Sequence, residues 1–298
     1  MPDPIAGDRG RPRRRRPWLH AVLFLFVVSA AGIAAFAFAP SWIPQTFGDD
    51  GLIDYQRTQR FFRSEFKLPL PGQPDLARFP ERLAASGLKP GDPVLIRIYK
   101  RDFELEVWMQ SGGVFHRFAT YPICSWSGYL GPKLREGDGQ APEGFYTVDG
   151  SALNPNSSYY RSFNVGYPNA FDRAKGRTGS LIMVHGDCRS IGCFAMTNAQ
   201  IAEIWKLVTA ALGAGQKRFQ VQIYPFRMSD YALVAHAGDA NAAFWRDLKI
   251  GSDLFDKTSL PPKVSVCGGR YRFEAGMAGT DGSNPIAVDC PSAASNER

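Results

Sequence analysis

The chain has 298 residues, of which 44% are hydrophobic, so it has room for one sizeable core or two small ones and fits a globular protein. Its formal net charge is +7, but residues 1–17 alone carry +4, from six arginines and two aspartates. The basic pI of 9.2 is therefore largely a property of this tail, and we expect no nucleic-acid partner.

An uncharged apolar segment follows the tail. Residues 18–39 are long enough, at about 1.5 Å per helical residue, to cross a hydrocarbon core of about 30 Å. Arg13–Arg16 directly precede it, which predicts a cytoplasmic tail at 1–17 and export of the remainder. A cleaved signal peptide is the alternative, since Ala37–Ala39 resembles a cleavage site. The apolar run is longer than a signal usually needs and Pro40 would follow the cut, so we expect an uncleaved transmembrane anchor.

The next part of the chain, residues 40–92, is rich in proline, glycine and charged residues. Two stretches within it, Gln56–Phe66 and Phe79–Ser86, have helical character. This composition is typical of a linker, so we expect a linker with lead-in helices here and not a separate domain.

From Pro93 onward, β-branched and aromatic residues alternate in part with polar ones, which indicates β-strands separated by turns at 100–102 and 111–113. The expected strands are Val94–Tyr99, Phe103–Trp108 and Val114–Tyr121. The pattern predicts a β-meander.

The central region alternates between loops and short regular elements. Residues 124–180 contain many Gly, Pro, Asn and Ser residues, which predicts long loops around short strands such as Gly144–Val148. The apolar run Leu181–Val184 ends at His185 and predicts a buried strand.

Helical signals then follow. Thr197–Gln200 has the form of a capping box, and apolar residues recur at helical spacing from Ile201 to Leu212 before Gly213. Phe219–Tyr224 is predicted to be a strand, and residues 226–298 a helical extension that includes Asn241–Leu248. The whole predicts an α+β protein that is mostly β.

The five cysteines leave one unpaired if the other four form disulfides, as in many exported proteins. Cys267 and Cys290 are placed to staple the C-terminal stretch to itself. Cys124, Cys188 and Cys193 remain, and a thiol that stays free outside the cytoplasm is often reactive.

The segment from His185 to Cys193 joins a strand end to the start of a helix, an arrangement that exposes side chains on a rigid frame. An imidazole beside a cysteine lowers the pKa of the thiol and carries its proton. Gly192 lets the backbone approach a bound carbonyl, and backbone N–H groups near Cys193 would form an oxyanion hole. The segment therefore indicates nucleophilic catalysis.

Three other interpretations stay open on these residues alone. Cys193 and His185 are also compatible with buried structural roles. A metal site would use both residues together with Asp187 and Cys188, but the spacing matches no common zinc pattern. A Cys188–Cys193 disulfide would silence the nucleophile.

The wider stretch resembles the L,D-transpeptidase (YkuD-type) catalytic domain, and within it the murein transpeptidase-like, YafK-like subgroup. The family's His-Gly pair and Ser-x-Gly-Cys motif match His185-Gly186 and Ser190-Ile191-Gly192-Cys193. Further matching segments are 141–148, 128–133, 154–157 and 166–169. The resemblance covers about residues 93–225.

The resemblance implies a β-rich catalytic domain at 93–225 that acts on peptidoglycan stem peptides bearing meso-diaminopimelate, in the periplasm. Cys193 would be the nucleophile and His185 the base, with Gly186, Ser190 and Gly192 shaping the turn. No cofactor is implied.

One position departs from the family pattern. The arginine often found two residues after the cysteine is Ala195 here, so substrate carboxylates must be bound elsewhere. The candidates are Lys133, Arg135, Arg161 and Arg173.

The acyl acceptor stays open. Transfer to an amine gives transpeptidation, whereas transfer to water gives an amidase, for example one that releases a peptidoglycan-linked lipoprotein. A peptidoglycan-binding protein that has lost turnover is the alternative from a different class, although it would not need both His185 and Cys193.

Overall fold

The computed structural model describes residues 17–37, 48–278 and 282–290. It divides into two compact units, residues 1–43 and 44–298. In the first unit, helix α1 covers Pro17–Ala37, and the side chains described in it are those of residues 18, 22–29, 31 and 32. Among the described residues, no helix is long and apolar enough to cross a membrane, so the anchor predicted at 18–39 is not confirmed.

The second unit contains the remaining helices and all the described strands. The helices are α2 (Gly48–Glu65), α3 (Phe79–Ala85), α4 (Ala170–Ala174), α5 (Asn198–Gly213), α6 (Asp230–Ala235) and α7 (Ala242–Thr258). The strands are β1 (Val94–Tyr99), β2 (Glu104–Ser111), β3 (Val114–Pro122), β4 (Ser125–Trp126), β5 (Gly144–Asp149), β6 (Leu153–Ser157), β7 (Tyr160–Asn164), β8 (Met183–His185), β9 (Phe194–Ala195), β10 (Arg218–Tyr224), β11 (Lys263–Cys267), β12 (Arg270–Glu274) and β13 (Ala287–Val288).

Two five-stranded sheets form the centre of this unit, in the orders β3-β2-β1-β10-β5 and β4-β9-β8-β7-β6. The predicted meander is confirmed as β1, β2 and β3, which pair antiparallel in sequence. Strand β10, much later in the chain, pairs parallel with β1. The mixed α+β class, rich in β-strands, is confirmed.

The main core lies between the first sheet and helix α5. Ile96 and Ile98 of β1 are buried with Ile201, Ile204 and Val208 of α5, in the same cluster. Burying each such side chain contributes about 1.5–3 kcal/mol. The predicted capping box of α5 is confirmed, since the side chains of residues 197 and 200 each accept a hydrogen bond from the other's backbone. The core thus fixes the N-terminus of α5 close to the Cys193 segment.

Helix α2 is longer than the stretch Gln56–Phe66 that helical character indicated, because it begins at Gly48. Ile53 is completely buried in the main core cluster. The helix that precedes the β-rich region therefore packs against it and is not part of a free linker.

The C-terminal part also differs from a purely helical extension. Helices α6 and α7 are present, but β11, β12 and β13 follow as a three-stranded sheet. Cys267 at the end of β11 is disulfide-bonded to Cys290, which confirms the predicted staple. Val264, Val266, Tyr271 and Phe273 alternate with polar residues on either side of the tight turn Gly268-Gly269, a hairpin signal that the prediction of a helical extension overlooked.

A buried ion pair supports the loops before β5. Lys100 and Glu143 are both completely buried and lie 2.9 Å apart. The Lys100 ammonium also donates to the carbonyl oxygens of Gly131 and Ala141, at 2.7 and 3.0 Å. Glu143 in turn accepts from the Gly131 N–H at 2.7 Å and from the Trp245 indole at 2.8 Å. The pair therefore links the first sheet, the loops at 131 and 141, and α7.

Candidate active site

His185 ends a strand in the middle of the second sheet, and Cys193 directly precedes the neighbouring strand. His185 ends β8 and pairs with Ala195 of β9 in parallel register, and Val184 pairs with Phe194. Val184 and Phe194 are completely buried in the main core. Successive strand residues alternate between faces, and paired residues share a face. His185 therefore lies on the opposite face of the sheet from this core, and Cys193 lies in the bend just before β9, two residues before Ala195.

The His185 ring is held in one tautomer. It is only 3% exposed, and its Nδ1 lies 2.5 Å from the carbonyl oxygen of Gly186. A carbonyl oxygen only accepts, so the proton lies on Nδ1 and Nε2 keeps a lone pair. The ring of Tyr159 packs 4.9 Å away. Burial lowers the pKa of His185, partly opposed by the Gly186 hydrogen bond and the charge of Asp187. A neutral imidazole with a free Nε2 is suited to act as a base.

Cys193 is the free cysteine, and its side chain is partly buried. Its sulfur accepts from the Met183 N–H at 3.4 Å and donates to the Leu181 carbonyl at 3.6 Å. Burial raises the pKa of the thiol, while the Met183 N–H and the charge of Lys133 oppose this rise. In the described residues no hydrogen bond joins the sulfur to the His185 ring. Burial thus favours a neutral imidazole and a neutral thiol in this site.

The turn before Cys193 is fixed by two serine hydroxyls. Gly192 has φ of 95°, a left-handed conformation that favours glycine. Its N–H donates to the hydroxyl of Ser127, which comes from the loop after β4. The Ser190 hydroxyl donates to the Cys193 carbonyl at 2.6 Å and lies 3.4 Å from the Ser127 hydroxyl. The backbone around Cys193 is therefore fixed at the Gly192 N–H and at the Cys193 carbonyl.

The turn after His185 is fixed by close contact. A Cβ on Gly186 would lie 2.4 Å from Asn198 Oδ1 and 3.0 Å from the Tyr159 carbonyl oxygen. Asn198, the first residue of α5, accepts the Asp187 N–H at 2.9 Å. Gly186 also donates its own N–H to the Tyr159 carbonyl at 3.0 Å. Only glycine fits where the chain leaves β8 so close to α5 and the β6–β7 turn.

Cys188 is disulfide-bonded to Cys124, so the Cys188–Cys193 disulfide considered from the sequence is wrong. The Cys124 N–H donates to the Ala195 carbonyl at 2.8 Å, and the Cys188 N–H donates to the Met196 carbonyl at 3.4 Å. The disulfide therefore ties the 186–192 turn to the strand segment beside β9. As for a metal site, the described ranges contain no group of three or more His, Cys, Asp or Glu side chains that could hold an ion.

Comparisons with known proteins place the β-rich region in a family. The family model described as the L,D-transpeptidase catalytic domain (YkuD) matches residues 93–223. Over 181 residues the chain is 49% identical to "Putative L,D-transpeptidase YafK" of Escherichia coli strain K12, covering 61% of this chain and 74% of that protein. The protein of the same name from Escherichia coli O157:H7 gives the same values. The chain belongs to the L,D-transpeptidase family.

This membership confirms the family resemblance seen in the motifs, and it makes the chain a peptidoglycan-modifying L,D-transpeptidase by family. Two solved structures are also similar. The helical cell shape determining protein Pgp2 of Campylobacter jejuni is 23% identical, with a TM-score of 0.37, covering 61% of this chain and 65% of that one. Bd1075 of Bdellovibrio bacteriovorus is 16% identical, with a TM-score of 0.33, covering 58% and 76%. Similarities this low carry no conclusion about this L,D-transpeptidase.

Helix α2 lies outside the matched family domain but contacts the loop that holds Ser127. Arg57 of α2 donates from Nε to the Trp126 carbonyl at 3.2 Å and from Nη2 to the Gly128 carbonyl at 2.7 Å. These two carbonyls flank Ser127, whose hydroxyl accepts the Gly192 N–H. Two steps, from Arg57 to the backbone around Ser127 and from Ser127 to Gly192, thus connect α2 to the residue before Cys193.

The predicted substrate-binding cations differ in their availability. Lys133 is buried and its ammonium already bonds Asp138 at 2.6 Å and the Arg135 carbonyl at 2.9 Å. It acts on Cys193 through its charge, and its buried ammonium already uses two of its three donors. Arg161 lies 5.2 Å from the Tyr160 ring and 5.9 Å from the Trp205 ring. Arg173 is exposed and donates to the Pro168 carbonyl. The Arg135 side chain is exposed.

Sequence reasoning missed Ser127, Asn198 and Tyr159. Ser127 lies 63 residues before Ser190, and no local pattern relates the two. Asn198 was identified only as part of a helix start, although a polar residue there commonly bonds nearby backbone groups. The contact of Tyr159 with His185 depends on the β6–β7 pairing, which no local pattern indicated.

Proposed function

We propose that this protein is a peptidoglycan acyltransferase that uses Cys193 as nucleophile and His185 as base. The observation that carries the proposal is that β8 ends at His185 and its partner β9 begins directly after Cys193, whose sulfur contacts β8 at the Met183 N–H, with the Nδ1 proton of His185 fixed on the Gly186 carbonyl. Nε2 is then the ring nitrogen that takes the thiol proton.

The reaction follows from these groups. The Cys193 sulfur attacks the carbonyl carbon of a stem-peptide amide next to meso-diaminopimelate, as its proton passes to Nε2. Backbone N–H groups at Cys193 stabilise the oxyanion. The Gly192 N–H is not one of them, because it already donates to the Ser127 hydroxyl. The C–N bond breaks, His185 gives its proton to the departing amine, and a thioester remains. An amine or water then attacks the thioester and releases the thiol.

The site of action in this proposal is the cell envelope. Stem peptides lie outside the cytoplasmic membrane, and two disulfides among the five cysteines are typical of an oxidising compartment. The anchor at residues 18–39 stays part of the proposal as a route for export. Protease treatment of intact spheroplasts tests it, because a cytoplasmic catalytic domain would be protected.

The acceptor decides between two outcomes. The full chain is incubated with meso-diaminopimelate-containing muropeptides, and separately with a peptidoglycan-linked lipoprotein, and the products are read by mass spectrometry. Cross-linked or amine-exchanged muropeptides identify a transpeptidase, and release of the lipoprotein identifies an amidase. Binding of both without any product would favour a non-catalytic peptidoglycan-binding protein instead.

The control for substitution of the free Cys193 is substitution of two disulfide-bonded cysteines. Cys193→Ala is expected to lose all products and the acyl-enzyme mass, because no other free thiol exists among the described residues. The Cys267→Ala/Cys290→Ala double variant removes a disulfide on the C-terminal sheet and is expected to keep product formation. Full activity of Cys193→Ala would disprove the assignment.

A further inference from the structure

A cationic cleft of about 710 Å³ lies between α4, α7 and the β11–β12 turn. Four positively charged side chains line it: Lys175, Arg177, Arg246 and Arg270. Asp247 is the one acidic side chain among the described residues that line it. None of these residues takes part in the contacts that hold His185 and Cys193.

Two of the four cations are already neutralised and two are not. Arg177 pairs with Asp172 at 2.9 Å, and Arg270 pairs with Asp247 at 2.6 Å. The side chains of Lys175 and Arg246, by contrast, form no ion pair or hydrogen bond with any described residue. The lining of the cleft therefore keeps two positive charges that no acidic side chain neutralises.

Stacked rings form a rigid wall behind these charges. Phe171 and Phe244 stack 5.5 Å apart, and the Arg177 guanidinium lies 5.1 and 5.0 Å from the two rings. The Lys175 ammonium lies 5.7 Å from the Phe171 ring. Cations held against rings in this way lose part of their hydration, which strengthens their attraction for an anion.

The opposite wall leaves room beside Lys175. Gly269 has φ of +68°, and a Cβ there would lie 3.5 Å from the Lys175 ammonium. A glycine at this position keeps a gap in front of the ammonium that a side chain would partly fill. The space next to the charge is thus open to a small planar anion.

We propose that this cleft binds a carboxylate of the peptidoglycan strand, at a stem peptide other than the one that reacts at Cys193. The inference rests on the proposed function, since stem peptides carry several free carboxylates. Lys175 is six residues before Leu181, whose carbonyl contacts the Cys193 sulfur. Six extended residues span at most about 20 Å, so one polymer can occupy both places.

The test uses the full chain with Lys175→Gln/Arg246→Gln, and with the surface double variant Lys257→Gln/Arg272→Gln as a control of equal charge change. Binding to intact peptidoglycan sacculi is measured by co-sedimentation, and turnover by product formation from a single soluble muropeptide. The cleft variant is expected to bind sacculi about tenfold more weakly. Its turnover of the single muropeptide, and both properties of the control, are expected to stay within about twofold.

The source of the anion is decided by competition. Meso-diaminopimelate-containing tetrapeptide is expected to compete with sacculi for the wild-type chain, and inorganic phosphate at the same concentration is not. Equal competition by phosphate, or a loss of phosphatidylglycerol vesicle binding in the cleft variant alone, would replace the carboxylate with a phosphate ligand. If both double variants lost sacculus binding equally, the loss would be due to the change in net charge alone, and the inference would be overturned. A wild-type chain without turnover would refute the proposed function, while the sacculus measurement would still test the cleft.

Discussion

Replacing Lys100 with methionine should be the most damaging single change away from the catalytic residues. Lys100 is completely buried, and all three of its ammonium donors are used. Lys100→Met keeps most of the volume but leaves Glu143 as a buried carboxylate without a counter-charge. Breaking a buried pair in this way typically costs about 3–5 kcal/mol.

The two backbone carbonyls that Lys100 bonds also affect the loss of stability. The Gly131 carbonyl keeps a second donor, Gln140 Nε2 at 2.7 Å. The Ala141 carbonyl loses the ammonium that bonds it, and an orphaned buried acceptor costs about 1–3 kcal/mol. The free energy of unfolding lost in Lys100→Met is then a large part of the ~5–15 kcal/mol that stabilises a typical domain.

The assay is urea unfolding of the full chain followed by tryptophan fluorescence. Lys100→Met/Glu143→Gln removes the buried charge and should regain at least half of the lost stability. Lys217→Met, at an exposed lysine, should change stability by less than about 0.5 kcal/mol. A loss of under about 1 kcal/mol in Lys100→Met, or a double variant as unstable as the single one, would refute the reasoning.

Three further predictions concern the catalytic face. Because burial raises the pKa of Cys193, the pH at which iodoacetamide alkylates this thiol at half its maximal rate should lie above the value for free cysteine; a lower midpoint would contradict the neutral pair. Ser127→Ala should lower kcat about 10–100-fold with KM within about twofold, since the turn that presents the sulfur loses its acceptor. Arg57→Ala should lower kcat in the same way but less, about 3–10-fold, whereas Lys67→Ala just after α2 should leave it unchanged; an equal effect of both would remove the proposed link to α2.

The sequence was sufficient for elements that carry a strong local pattern. The meander, helix α5 with its capping box, and the His-Gly and Ser-x-Gly-Cys motifs all depend on residues within a few positions of each other. The isolated position of Cys267 and Cys290 near the C-terminus suggested that they could pair, and the structure contains this disulfide, although the sequence left the pairing of the four cysteines open.

The parts that sequence reasoning missed depend on contacts between distant residues. Strands β6 and β7 are short and polar, so their alternation is weak, although they form the edge that brings Tyr159 to His185. Lys133 was expected to face a substrate, but a charged residue can be buried where a partner such as Asp138 lies five residues away. Such pairing depends on how the loop folds back, which spacing alone does not show.

The neutral state of the catalytic pair is consistent with where the proposal places the enzyme. A low-pKa thiolate is the form that oxidants attack, so a permanently ionised Cys193 would be vulnerable in a compartment that forms disulfides. Here burial favours the uncharged thiol and the uncharged imidazole. In the proposed mechanism, the sulfur ionises only during the reaction, when its proton moves to Nε2 and the developing oxyanion receives backbone N–H donors. Burial of the neutral thiol would then limit its reactivity toward small oxidants between turnovers.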